Sequence, residues 1–353
     1  MQFNRSLLAM ISICLWVTPL ARASEISVTV VAGHPSVFRW VKHLSTTFIP
    51  SVDTALQGSD TRMAWTELYG GTLAPVGGEL EVLEEGLAEI GVVPTPFEPS
   101  KLSAQNVTYY TPFVSTDVQL MTTLLDELQH SSQAMQENWT NNGLEYLGGA
   151  IGVDDYLLMT NFPVNSLADL KGRKIAAPGP AVNWLKGTGA VGVASNLTLY
   201  YNDISTGVYD GVITFATAAL PGKLHEVAPH VLRIGFGAQY GGGVAANKDW
   251  FDAQPVLVRQ SLKMAAQKTR EAYLNDLNTA VSVATDTMAS EGAKITDASL
   301  ELRTAWVNAM PDIAEQWANS LDDSGQDGRL ILDTYMQTMR QAGAEPLRDW
   351  DKK

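Results

Sequence analysis

Ser166-Leu-Ala-Asp-Leu-Lys-Gly-Arg-Lys-Ile-Ala-Ala-Pro178 is the stretch of sequence that says most about the fold. It predicts a short helix at 166–171, a stop at Gly172, and a strand at 174–177 that ends before Pro178. A second turn-and-strand signal, Gly207-Val-Tyr-Asp-Gly211, follows farther along the chain. Helices and strands in alternation are typical of α/β proteins.

The same alternation continues on both sides of this stretch. Before it, the pattern of apolar residues predicts strands at 26–32, 63–69, 90–93 and 144–147, and helices at 37–48, 77–86 and 117–142. In a second α/β unit that begins near Tyr156, it predicts strands at 156–161, 197–201, 208–213, 232–236 and 243–247, and a helix at 184–191.

Chain length and one long helix predict two domains. The chain has 353 residues, and a single core usually splits above ~250–300 residues. The amphipathic segment at 255–288 would reach ~50 Å as a helix, which is long enough to bridge two domains. We expect one lobe at 24–152 plus 240–279 and a second lobe at 153–239 plus 280–353.

The N-terminus predicts export from the cytoplasm. Arg5 precedes an apolar run at 7–20 that is too short to span a bilayer, and Ala21-Arg22-Ala23 resembles a cleavage site. We therefore expect a cleaved signal peptide at 1–23 and a periplasmic mature chain without a membrane span. The single cysteine, Cys14, lies within this leader, so neither disulfides nor thiol chemistry are expected afterwards.

Charge and motifs argue against several classes of function. The formal net charge of −14 repels phosphate backbones, so nucleic acid is not an expected partner. The chain contains no phosphate-binding loop, no Gly-x-Ser-x-Gly elbow and no His-Glu-x-x-His zinc helix. Its five histidines show no spacing typical of a metal site. We expect no catalytic group, no metal and no cofactor.

Asp169-Leu-Lys-Gly-Arg-Lys174, followed by Gly207-Val-Tyr-Asp-Gly211, resembles the signature of TRAP-type solute-binding proteins, the receptors of tripartite ATP-independent periplasmic transporters. Gly70-Gly-Thr-Leu73, Leu87-Ala-Glu-Ile-Gly91 and Asn247-Lys-Asp-Trp250 are similar to other motifs of that family. The resemblance spans nearly the whole chain after the leader.

The resemblance implies both a fold and a mechanism. The fold is a two-lobed α/β periplasmic binding protein, with mixed sheets, flanking helices and a long bridging helix. The mechanism is closure of the lobes on one small polar solute, which the receptor, expected to be a monomer, delivers to the small and large TRAP membrane subunits.

One departure from the family pattern bears on the ligand. The family usually has an arginine two residues after the second lysine of the motif, where its planar fork pairs a substrate carboxylate. This chain has Ala176 there. A second arginine of some members would fall near Tyr156, which follows Asp154 and Asp155. The resemblance therefore implies a small amine, such as an alkanolamine, or another solute that is not a carboxylate.

The candidate ligand-binding residues form an aromatic and polar set around that position. They are Thr95, Asp155, Tyr156, Ala176, Trp184, Thr214, Phe215 and Tyr240. An aromatic cage with one acid is a common way to hold an ammonium group. Three alternatives remain open: an uncharged polyol or aromatic compound, an organic acid held by lysine, backbone N–H groups or a metal ion, and a periplasmic hydrolase.

Overall fold

A computed structural model describes residues 24–352 of the chain. The predicted signal peptide at 1–23 lies outside the described residues. The strands are β1 (Ser24–Ala32), β2 (Thr61–Tyr69), β3 (Ile90–Val93), β4 (Leu144–Val153), β5 (Tyr156–Thr160), β6 (Lys174–Ala177), β7 (Val191–Ala194), β8 (Gly211–Phe215), β9 (His230–Arg233), β10 (Gln239–Asn247) and β11 (Lys294–Asp297).

Helices cover both sheets and fill the connections between strands. The α-helices are α1 (Arg39–His43), α2 (Ile49–Ala55), α3 (Glu79–Glu84), α4 (Val107–Tyr110), α5 (Val118–Ser131), α6 (Gln133–Thr140), α7 (Tyr200–Ser205), α8 (Ala216–Ala219), α9 (Leu224–Val227), α10 (Lys248–Asp252), α11 (Val256–Ser290), α12 (Leu300–Ala309), α13 (Ile313–Asp323) and α14 (Gly328–Gln341). A π-helical segment, Leu44–Phe48, joins α1 to α2, and 3₁₀ helices span Thr95–Phe97, Ala104–Asn106, Leu167–Leu170 and Gly179–Leu185.

The strands form two mixed sheets, one in each lobe. The sheet of lobe I has the order β2-β1-β3-β10-β4, in which β1 is parallel to β2 and β3 while β10 is antiparallel to β3 and β4. The sheet of lobe II has the order β11-β9-β5-β8-β6-β7, with β5 antiparallel to β8 and β9. The two-lobed α/β fold with mixed sheets is thereby confirmed.

Three segments connect the lobes. The chain passes from β4 to β5 through Asp154 and Asp155, and it returns from β9 to β10 through residues 234–238. Helix α11 packs against α2 and β4 of lobe I and against α8 of lobe II, so the predicted bridging helix is confirmed. The C-terminal helices α13 and α14 pack against α4 and α5, although the sequence assigned 280–353 to lobe II.

Several predicted elements hold, including the strands at 26–32, 63–69, 90–93 and 174–177. The single helix at 117–142 is wrong, because Ser132 interrupts it. Ser132 adopts an extended backbone, with φ −86° and ψ 118°, and its side chain accepts a hydrogen bond from Met135 N at the start of α6. A serine that caps the next helix ends the previous one.

Two predictions just after the opening stretch are also wrong. Residues 184–191, predicted as a helix, form the end of the 3₁₀ helix Gly179–Leu185 and the approach to β7, and residues 197–201, predicted as extended, lead into α7. Gly187 and Gly189, with φ of 81° and 86°, prevent a helix in the first segment. In the second, a short run of five residues, periodicity does not separate helix from strand.

The lobes touch closely at Gly179, which belongs to the 3₁₀ helix after β6. Gly179 has φ +47°, and a Cβ atom placed on it would lie 2.0 Å from the carbonyl oxygen of Pro96 in lobe I. A side chain at this position is incompatible with the observed approach of the lobes.

We expect Gly179→Ala to hold the lobes apart, giving a larger radius of gyration in small-angle X-ray scattering. The matched control is Gly172→Ala, because Gly172 has φ +75° but nothing within 4 Å of a Cβ. In both variants the alanine must adopt a left-handed backbone conformation, which costs ~1–2 kcal/mol. Only the Gly179→Ala side chain collides with the other lobe. Equal radii for the two variants would show that this contact does not limit closure.

Candidate functional site

A cavity of about 50 Å³ lies between the lobes, beside the strands that cross between them. Seven of the residues that line it have aromatic rings: His34, Trp40, Phe97, Tyr109, Tyr156, Tyr200 and Phe215. The other lining residues are Val92, Pro94, Pro96, Ile151, Val153, Pro178, Leu197, Thr214 and Gly241. Lobe I contributes the ends of β1 and β3, and lobe II contributes β5 and β8.

The rings contact one another across the boundary between the lobes. The Tyr109 and Tyr156 hydroxyl oxygens are 3.0 Å apart and share a hydrogen bond. The Tyr156 ring lies 5.3 Å from the Phe215 ring, and Phe215 lies 5.9 Å from Trp40 of lobe I. Such centroid separations are typical of favourable aromatic pairs, so the site is a continuous aromatic surface formed by both lobes.

The cavity walls carry hydrogen-bonding groups but no formal charge. No lysine, arginine, aspartate or glutamate is among the described residues that line it. The His34 Nε2 and Thr214 Oγ1 atoms are buried without a hydrogen-bond partner among the described residues. Burial lowers the pKa of His34 to about 4, so its imidazole is neutral at pH 7.

Acidic groups lie behind the cavity walls and bind backbone N–H groups. The Asp154 carboxylate accepts hydrogen bonds from the Thr217 hydroxyl and backbone N–H, and burial raises the pKa of Asp154 to about 6. Asp155 Oδ1 accepts from Gly237 N at 2.8 Å, and burial raises the pKa of Asp155 to about 7. Asp155 therefore ties the two crossing strands' connections together, and Asp154 fixes the first of them to α8.

Three of the predicted ligand-binding residues line the cavity: Tyr156, Thr214 and Phe215. Thr95 does not, although its neighbours Pro94 and Pro96 do. Trp184 is fully buried one layer behind, where its ring stacks on Tyr109 at 6.0 Å and its indole N–H donates to the Tyr109 carbonyl oxygen.

Tyr240, Asp155 and Ala176 also lie outside the cavity walls. Tyr240 is fully buried, and its hydroxyl is directed to that of Tyr146 at 3.5 Å. The Asp155 carboxylate is occupied by Gly237, as described above. The structure thus separates the predicted acid from the aromatic surface.

Ala176 lies deeper in lobe II than the cavity. It is fully buried and pairs with Val212 in the parallel β6–β8 ladder. Thr214, two residues beyond Val212, reaches the cavity, as does Pro178, two residues beyond Ala176. Side chains two residues apart on a strand share one face, ~7 Å apart. Tyr200 packs in the same cluster as Ala176 and also lines the cavity.

Several lining residues were missed from the sequence, above all His34, Trp40, Tyr109 and Tyr200. His34 could have been predicted from the sequence, because it follows the first strand and ligands of α/β proteins usually bind beyond the carboxyl ends of parallel strands. Tyr109 and Tyr200 lie on short helices between strands, and no local pattern indicates that those helices meet.

A larger groove, about 730 Å³, lies on lobe I between α5, α6, β4 and α11. Its charged side chains are paired with each other, Arg270 with Asp126 and Lys263 with Glu145. Of these two, the smaller cavity is the one that both lobes form beside the crossing strands, and we place the candidate site there. Within residues 24–352, no cluster of three or more His, Cys, Asp or Glu side chains is suited to a metal ion, and no helix has the length and apolarity to cross a membrane.

Residues 54–320 match the family model of the bacterial extracellular solute-binding proteins, family 7, also called DctP. No curated protein matches the chain.

Solved structures of TRAP receptors share the fold. A Bordetella pertussis receptor that binds pyroglutamic acid is 19% identical, with a TM-score of 0.76, covering 88% of this chain and 100% of its own. A marine metagenome protein specific for aromatic acid ligands is 15% identical, with a TM-score of 0.78 and coverages of 90% and 99%. A Bordetella bronchiseptica protein with bound mandelate is 19% identical, with a TM-score of 0.76 and the same two coverages.

We expect Ala176→Arg to destabilise the protein, because it places an unpaired charge in a filled core. A buried charge without a partner lowers the free energy of unfolding by ~3–5 kcal/mol. Combining it with Tyr200→Ala, which removes a ring from the same cluster, should recover part of this loss. Urea denaturation of the two single variants and the double variant measures the coupling between the positions.

The control for Ala176→Arg is Ala194→Arg, on the neighbouring strand β7, where the alanine is exposed. We expect this change to leave the free energy of unfolding within ~0.5 kcal/mol of the wild type. Equal stabilities for the two arginine variants would contradict the buried placement of position 176.

We expect Asp154→Asn to flatten the dependence of stability on pH between about 4 and about 6. The pKa of Asp154 is raised from 3.8 to about 6, so the folded protein holds a proton in this window that the unfolded chain releases. The free energy of unfolding of the wild type therefore falls as pH rises through the window. Urea denaturation at several pH values checks this, with the exposed Asp60→Asn as the control; parallel curves for the wild type and Asp154→Asn would refute it.

Proposed function

The chain belongs to family 7 of the bacterial extracellular solute-binding proteins, the TRAP-type solute-binding proteins, and on that basis we propose that it is the extracytoplasmic receptor of a TRAP transporter. In this proposal the mature protein lies in the periplasm after cleavage of residues 1–23. It binds one small solute as a monomer and delivers it to the small and large membrane subunits.

Solute entry requires the lobes to move apart. The cavity of about 50 Å³ is far below the ~300–1,000 Å³ of typical small-molecule pockets. The three connections, β4–β5, β9–β10 and α11, provide a hinge on one side of the cavity, while the contact of Gly179 with Pro96 lies where the lobes meet. We propose that the solute replaces part of this contact and that closure buries it among the rings.

The proposed solute is a small molecule with a flat, largely apolar body that is bound without net charge. The observation that carries this proposal is the cavity wall of seven rings without a charged side chain. A desolvated charge without a partner is strongly unfavourable. The alkanolamine hypothesis required an acid beside the rings, and Asp155 instead accepts from Gly237 N, so an uncharged aromatic or polar compound fits this cavity better than a cation.

A small organic acid is the second candidate. The observation that favours it is that the similar structures hold pyroglutamate, mandelate or other aromatic acids. The sequence alternatives of a lysine clamp or a metal ion find no support among the described lining residues. The hydrolase alternative also lacks support, because the His34 Nε2 atom has no hydroxyl partner among those residues to activate as a nucleophile.

Thermal melting with matched solutes tests the receptor function. Benzyl alcohol, benzoate and benzylamine share one ring and differ in charge. A receptor should gain stability from at least one of them or from a wider metabolite panel, by ~2.7 kcal/mol at a solute concentration of 100 times Kd. Appearance of a product from the stabilising solute would instead support an enzyme, and a panel without any effect would contradict the proposed function.

The aromatic wall gives a matched pair of variants for the solute found in this way. Phe215→Ala removes a ring that lines the cavity, and Phe162→Ala removes one that contacts Arg173 outside it. We expect the first variant to weaken binding ~10–100-fold, equivalent to ~1.4–2.7 kcal/mol, and the second to leave it unchanged in isothermal titration. Equal affinities for both variants would place the site elsewhere.

A further inference from the structure

His34 occupies an unusual position for a titratable side chain. It follows β1, is only 5% exposed, and contacts the edges or faces of Phe38 and Trp40 with ring centroids 5.6 and 5.4 Å away. Its ring lines the cavity, and its buried Nε2 atom has no partner among the described residues. A buried polar atom without a partner is unfavourable unless a ligand supplies one.

The groups around His34 leave it without a fixed charge to pair with. Burial alone accounts for its lowered pKa. The titratable or charged groups on the surrounding elements are Arg39, Lys42 and His43 on α1, Glu67 and Tyr69 on β2, Glu79 on α3, Glu98 after β3, Tyr109 on α4, Tyr156 on β5 and Tyr200 on α7.

Three of these groups, Glu79, Arg39 and Tyr109, have other partners. Glu79 accepts hydrogen bonds from the backbone N–H groups of Gly33, Gly77 and Gly78. Arg39 donates to Asp276, and Tyr109 shares its hydroxyl hydrogen bond with Tyr156. The unpartnered imidazole is therefore the group in the cavity wall that can become a cation when an anion arrives.

We propose that His34 takes up one proton when the receptor binds an organic acid, the second candidate solute. This inference rests on the proposed receptor function and assigns a proton acceptor at its site. The acid enters as its carboxylate anion, and a hydronium ion or the protonated buffer gives up the proton that forms a new N–H bond on the imidazole, leaving water or the buffer base. The buried product is an imidazolium–carboxylate pair with no net charge.

Physical chemistry favours this arrangement over burial of the anion alone. An unpaired carboxylate in an apolar cavity loses its hydration without compensation, whereas a charge-assisted N–H···O hydrogen bond is about twice as strong as a neutral one. Thr214 Oγ1, also unpartnered, lines the cavity from lobe II and donates to the second carboxylate oxygen. Because His34 belongs to lobe I, the acid links the two lobes.

Proton uptake gives a distinctive pH dependence. Free His34 is neutral above its pKa of about 4, so each acid bound between that pH and the higher pKa of the complex takes one proton from solution. The affinity for the acid then falls tenfold for each unit of pH increase in this range. The affinity for an uncharged solute does not depend on pH through this group.

Isothermal titration of the full mature protein with benzoate and mandelate tests the proposal, with benzyl alcohol as the uncharged probe. The titration is repeated at pH 7 in two buffers with different ionisation enthalpies. We expect one proton taken up per acid bound, none with benzyl alcohol, and an acid affinity 100-fold higher at pH 5 than at pH 7.

Two histidine variants assign the proton. His34→Gln keeps a hydrogen-bond donor but has no group that titrates, so it should bind acid more weakly and without proton uptake. His43→Gln is the control, because His43 lies outside the cavity beside Asp276 and its loss should leave the uptake at one proton. The pH series on the wild type gives an independent answer if His34→Gln does not fold.

Several results would overturn the inference. Acid binding without net proton uptake, or uptake that persists in His34→Gln, shows that His34 is not the proton acceptor. Binding of uncharged or cationic solutes in the absence of any acid overturns this role of His34, while the receptor function stands. The receptor function itself fails only if no solute of any class binds.

Discussion

The hydrogen bond from the Trp184 indole N–H to the Tyr109 carbonyl oxygen, 2.7 Å long, holds the centre of the molecule together. It joins the 3₁₀ helix after β6 of lobe II to the segment between β3 and β4 of lobe I. The Trp184 carbonyl oxygen in turn accepts from the indole of Trp306, also at 2.7 Å. A buried indole must find an acceptor, so these bonds fix the rings that stand behind Tyr109 and Tyr156.

The electrostatics of the site follow from this packing. Rings fill the space between the lobes, and carboxylates are held behind them by backbone N–H groups, as with Asp154 at Thr217 and Asp155 at Gly237. The carboxylates of Asp154 and Asp155 therefore stabilise the segment that crosses between the lobes and do not line the cavity. This division explains why a cavity in a strongly acidic protein has neutral walls, and why a neutral imidazole at its edge matters for the choice of solute.

The structure differs from the predicted helices and strands where a single hydrogen bond or a neighbouring strand decides the local conformation. Ser132 ends one helix and starts another because its hydroxyl satisfies the Met135 N–H, a choice that a continuous apolar pattern does not reveal. The strand β7 forms at 191–194 because β6 offers a parallel partner beside it. Ala176 was correctly predicted to lie in β6. It does not reach the cavity, because Pro178 and Thr214, farther along β6 and β8, form the wall in front of it.

The sequence by itself determined the family, the α/β class, the two lobes and the bridging helix, because these depend on motifs and on periodicity that local residues carry. It also indicated that Tyr156, Thr214 and Phe215 belong to one site. Only the tertiary structure decided that His34, Trp40, Tyr109 and Tyr200 join them and that Asp155 and Trp184 do not line the cavity. Those contacts connect segments far apart in the chain, and the packing of the two lobes, which no local pattern encodes, brings them together.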